Sequence, residues 1–203
     1  MTDLVLSVYK GLGVNQPFVL HLITAMTVSF LFGMAVVILG RFIDYLELAQ
    51  MKLISKWVGF KWASFVCNRL TFPGIVLHEL SHAFFIWVTG GEVTKVRLLA
   101  FGNDGKLGYV NFCTRGTKLQ TSCQMAFGSC APVLVGMLAE YLLLLVIFTW
   151  ELPLYSHVIL WYMVISIFDH MSMSSVDMKN YLRGMLIVYP VMVTVVMAKL
   201  YFF

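Results

Sequence analysis

From Pro17 to Gly40 the chain carries no Asp, Glu, Lys or Arg. At about 1.5 Å of helix per residue, that run is long enough to cross a hydrocarbon core of about 30 Å. Few features constrain a fold more. Inside lipid, every backbone polar group has to be satisfied within the segment, so the run must be helical. Composition agrees: 60% of the residues are hydrophobic and only 12% are charged. A soluble domain carries roughly 25% charged residues. Further apolar runs occupy 72–90, 125–150, 152–168 and 184–203. The expected fold is therefore an all-α polytopic membrane protein, a single domain over 1–203 with about five membrane-embedded helices. A net charge of +4 without a compact basic run suits loops beside anionic lipid and offers no site for nucleic acid.

Residues 41–70 break the apolar pattern with Arg41, Asp44, Glu47, Lys52, Lys56, Lys61 and Arg69. Trp57, Phe60, Trp62 and Phe65 among those lysines read as an interfacial helix along the headgroups, or as a linker packed over a site. Residues 92–112 read as a small β-hairpin, with apolar stretches on either side of Gly102-Asn103-Asp104-Gly105. Its Leu107-Gly108-Tyr109-Val110 edge could pair with an extended peptide backbone, or could simply connect two helices. Cys67, Cys113, Cys123 and Cys130 show no CxxC spacing and read as apolar fillers and free thiols. A Cys113–Cys123 disulfide is the alternative if their loop faces an oxidising compartment. No cleavable signal peptide is expected, because no basic region precedes the first apolar run. The segments 41–71 and 91–124 each hold five Lys or Arg, so charge does not orient the chain.

The chemistry sits in the run at 72–90, where His78-Glu79-Leu80-Ser81-His82 forms an HExxH motif. On a helix, His78 and His82 lie one turn apart on one face and can reach a single metal ion. Glu79 stands beside them, placed to take a proton from water at the metal. From Phe72 to Gly91 there is no Lys or Arg, and Glu79 is the only acid. Titratable groups kept in such a segment are costly unless they serve a site. Two histidines do not complete a catalytic zinc site, which takes three protein ligands. The residues leave Asp169, His170, Asp177 and Glu140 as candidates for the third.

With its HExxH helix, the 92–112 hairpin and the small-residue segment Gly128-Ser129-Cys130-Ala131-Pro132, the chain resembles the site-2-type intramembrane metalloproteases over roughly residues 70–185. In that family an Asn-x-x-Pro-x-x-x-x-Asp-Gly segment supplies the third ligand. Asp169 and Asp177 have the same separation as its Asn and Asp. The resemblance thus implies a Zn2+ cofactor held by His78, His82 and Asp177, with Glu79 as the catalytic base. Asp169 stands where the family has Asn, Ser172 where it has Pro, and Met178-Lys179 where it has Gly. By that resemblance Asp169 and His170 are candidates for holding the substrate or a developing oxyanion. The implied activity is zinc-assisted hydrolysis of a peptide bond of a membrane protein or peptide, in or near the lipid bilayer. The competing readings are a non-catalytic metal-containing subunit that binds a partner protein, and a zincin with Glu140 as third ligand.

Overall fold

The computed structural model describes residues 1–14, 16–99 and 107–202. A short helix, α1 (Thr2–Gly11), leads into α2 (Pro17–Val58), a single helix of 42 residues. Pro17 opens it at a position whose N–H has no partner in a helix anyway. The change of character at residue 41 is not a helix end, contrary to the expected boundary. No proline interrupts the stretch, and Arg41 pairs with Asp44 on the next turn at 3.2 Å, so charged residues continue the same ladder. The helix stops only at Gly59, whose φ of +81° is a conformation other residues rarely adopt. The short α3 (Phe60–Phe65) and a π-helical turn (Val66–Leu70) complete the 41–70 segment. Trp57, Phe60 and Trp62 are exposed there.

The motif run forms α4 (Phe72–Val88), followed by β1 (Glu92–Arg97) and β2 (Tyr109–Cys113), paired antiparallel with an irregularity between Val93 and Lys95. The Gly102–Gly105 turn lies outside the described residues. Next come α5 (Lys118–Thr149), α6 (Leu154–Phe168) and α7 (Ser175–Phe202). Helix α5 starts earlier than the apolar run, at a capping box in which Thr117 and Gln120 satisfy each other's backbone N–H groups. Helix α7 also starts well before residue 184. Ser174 Oγ accepts the Asp177 N–H at 3.1 Å, which is N-cap geometry, so the polar residues after it become the first turns of the last helix.

Three helices, α2, α5 and α7, are long and apolar enough to cross a membrane. The other two expected spans, α4 and α6, are apolar but shorter, at 17 and 15 residues. Helix α5 packs against α4, α6 and α7, and α2 packs against α7. A buried apolar cluster joins Val36 of α2, Cys130 and Val133 of α5, and Tyr181 and Val188 of α7. Helices α5 and α7 cross closely: a Cβ on Gly184 would lie 2.5 Å from the Ser122 carbonyl oxygen. Small residues permit such backbone approach where no hydrophobic effect drives helices together. Two turns upstream of this crossing, α7 carries Asp177. All four cysteines are free, Cys113 exposed at the end of β2, so the Cys113–Cys123 disulfide is not formed.

Candidate metal centre

The HExxH spacing puts the two imidazoles one above the other on α4, with ring centroids 4.7 Å apart. Each is oriented by a backbone carbonyl. The Nδ1–H of His78 donates to the His170 carbonyl at 2.5 Å, and that of His82 to the Gly128 carbonyl at 2.7 Å. Both carbonyls are free for local reasons. His170 lies past the end of α6, where carbonyls lack intrahelical partners. Gly128 lies four residues before Pro132, which has no N–H to give it. With their Nδ1 atoms protonated and engaged, both rings present an Nε2 lone pair inward. The two Nε2 atoms are 3.1 Å apart.

Asp177 closes the group from α7. Its Oδ2 lies 3.7 Å from His82 Nε2, and the ligating atoms of His78, His82 and Asp177 are all within 4.8 Å of one another. Ser174 steadies the carboxylate, donating to the same Oδ2 at 2.5 Å. No model of a known family, no curated protein and no solved structure matches the chain. The fit to a metal therefore rests on donor chemistry. Three lone-pair donors converging at such range repel one another unless a cation lies among them. Two Zn–N bonds of 2.0–2.1 Å at a tetrahedral angle would place the nitrogens about 3.3 Å apart, close to the observed spacing. The donor set, two neutral imidazoles and one carboxylate, suits zinc.

The other candidates for third ligand are directed elsewhere. The His170 ring turns to Thr71, whose Oγ1 is 2.8 Å from its Nε2. Glu140 lies against the backbone of Phe168. Among the described residues, neither belongs to a metal-holding group. Asp177→Ala should therefore abolish stoichiometric zinc in the purified protein, whereas Glu140→Ala should leave it intact. Metal analysis of the two variants checks this, and the reverse pattern would reassign the ligand.

Glu79 faces a cavity of about 390 Å3, which His78, Leu107, Gly108, Asp169 and His170 also line. It is only 8% exposed. Tyr109 and Val110 continue from the cavity wall into β2. Gly108 touches the acid itself: a Cβ there would lie 2.8 Å from Glu79 Cγ and 3.0 Å from Oε1. Gly108→Ala should push the carboxylate aside and lower turnover by about tenfold or more, with zinc content unchanged. Equal turnover in the two proteins would remove the hairpin from the site.

Asp169, 6% exposed, accepts a hydrogen bond from Gln50 Nε2 at 3.1 Å through Oδ2. Burial pushes its carboxyl up to about 6, with the Gln50 bond opposing. Burial lowers His170 to about 4, keeping that imidazole neutral. Residues that sequence reasoning missed include the carbonyls of His170 and Gly128, and Glu47 and Gln50 of α2 at the cavity wall. The Gly-x-x-x-Pro spacing was the readable signal for one of them.

Proposed function

We propose that the chain is a membrane-embedded zinc endopeptidase of the site-2 type, with α2, α4, α5, α6 and α7 in the bilayer. Its substrate is a peptide bond of a membrane protein or peptide in or near the lipid. One observation carries this reading: His78, His82 and Asp177 converge beside Glu79, an acid only 8% exposed that lines a cavity. A metal-holding scaffold that only bound a partner protein would have no use for a carboxylate beside the metal ligands on a cavity wall.

Bound at this site, zinc supplies Lewis acidity, polarising a carbonyl and acidifying water. Glu79 accepts the proton of the attacking water as its oxygen bonds to the carbonyl carbon. It returns that proton to the nitrogen as the C–N bond breaks. The cavity admits both water and the scissile segment. That segment must be extended, because helical carbonyls are already hydrogen-bonded. Leu107 and Gly108, which lead into β2, are positioned to border such a strand.

The test is to reconstitute the protein with membrane polypeptides in vesicles and to map newly formed N-termini by amine labelling. Cleavages should vanish with a chelator, return with added zinc, and be missing with His78→Ala or His82→Ala. Termini that persist unchanged in the metal-free protein would defeat the peptidase reading.

A further inference from the structure

The cavity lining includes two acids that hydrolysis does not require. Asp169, after α6, and Glu47, on α2, both line it. Each is held by one neutral donor: Gln50 Nε2 to Asp169 Oδ2 at 3.1 Å, and Ser172 Oγ to Glu47 Oε2 at 3.1 Å. The remaining oxygens, Asp169 Oδ1 and Glu47 Oε1, are sealed from solvent and have no partner. Among the described residues neither carboxylate has an ion-pair partner, whereas the neighbouring Asp44 is satisfied by Arg41. Two buried acids, each with one oxygen left unpaired, are costly to keep charged, and a cation brought to them offsets that cost.

The rest of the wall says what kind of cation. Besides the acids and His78–Glu79, the cavity is lined by Leu48, Met51, Ile75 and Leu107. A bare metal ion would leave most of the 390 Å3 to water and gain nothing from those apolar walls. A lysine or arginine side chain uses both parts, its aliphatic stem along apolar surface and its charged head on carboxylates. The cavity is continuous with His78 and Glu79, so its occupant belongs to the chain presented to them.

Resting on the peptidase reading above, we propose that Asp169 and Glu47 form a specificity subsite that takes a lysine or arginine side chain of the substrate near the scissile bond. The pair selects a cationic residue, while Gln50 and Ser172 hold the two carboxylates in place.

The test is binding without cleavage. Zinc-loaded full-length Glu79→Gln protein in detergent is titrated with fluorescent ten-residue peptides, N-acetylated and C-amidated, carrying one central lysine, norleucine or glutamate. The lysine peptide should bind on the order of tenfold more tightly than the norleucine peptide, as expected for charge-assisted hydrogen bonds. Asp169→Asn combined with Glu47→Gln should erase that preference and leave norleucine binding unchanged. If the double variant loses zinc, Glu47→Gln alone carries the test and should reduce the preference. Equal binding of the lysine and norleucine peptides, or no binding of the lysine peptide, overturns the proposal. So does a preference that survives the substitutions. A gain seen only with a free N-terminal amine on the norleucine peptide also overturns it, assigning the cation to a chain terminus. Because no turnover is measured, a lost preference leaves peptidase activity standing, and absent cleavage leaves the preference measurable.

Discussion

Glu79→Gln should bind zinc as the wild type does while cleavage falls by about 10²–10⁴-fold, the contribution of a positioned general acid–base group. The metal should stay because Glu79 is not among the converging ligands; His78, His82 and Asp177 are untouched by the change. Turnover should collapse because the amide keeps the shape of the side chain but cannot accept the proton. A second readout separates this from structural damage. The side chain is only 8% exposed, and a neutral amide costs less to bury than a carboxylate, so the melting temperature in detergent should hold or rise. Cleavage that survives the substitution at a comparable rate would take the catalytic base away from Glu79.

The second large effect concerns a glycine that never meets the metal. A Cβ on Gly74 would lie 1.8 Å from the Ser166 carbonyl oxygen and 2.9 Å from His170 Cδ2. The first of these is backbone, which cannot swing away as a flexible side chain can. Gly74→Ala should therefore force α4 off α6, at a cost of about 3 kcal/mol, the upper end for overpacking. The contacts at risk include Gly74 N–H to Ser166 Oγ at 2.8 Å and Ser166 Oγ–H to the Thr71 carbonyl at 2.8 Å. One turn along sits the His78 bond to His170, and a loosened orienting partner weakens metal affinity by about 10–100-fold. Gly11→Ala, where a Cβ meets nothing within 4 Å, is the matched control and should be neutral. Thermal melts and zinc titrations of the two variants decide the matter. Wild-type behaviour from Gly74→Ala would mean that the α4–α6 contact does not hold the ligand.

How much of this was legible in the sequence depends on how local each feature is. His78, Glu79 and His82 could be read directly, because one helical turn fixes their relation whatever surrounds them. Asp177 lies far along the chain, and composition alone left it level with His170, with Asp169 and Glu140 as further candidates. Only a family resemblance singled it out, and in the folded chain its carboxylate joins the two histidine rings, while the His170 ring turns to Thr71. The carbonyl partners were hidden for another reason: every residue has a carbonyl, so residue type carries no signal. The exception is Gly128, exposed by the missing N–H of Pro132. Two boundaries were misread because polar side chains were taken for helix ends. A backbone ladder is indifferent to side-chain charge, so α2 runs on past Arg41 to Gly59, and α7 begins at the Ser174 cap.

The unbroken α2 has a mechanical corollary. Its charge-free part, 17–40, is roughly 36 Å long, a few ångströms more than an average hydrocarbon core, so in a thinner membrane it must lean. The same rigid rod continues to Glu47 and Gln50, with no hinge before Gly59. A lean imposed in the lipid is thus delivered undiminished to the cavity wall, making membrane thickness a lever on the cavity's shape.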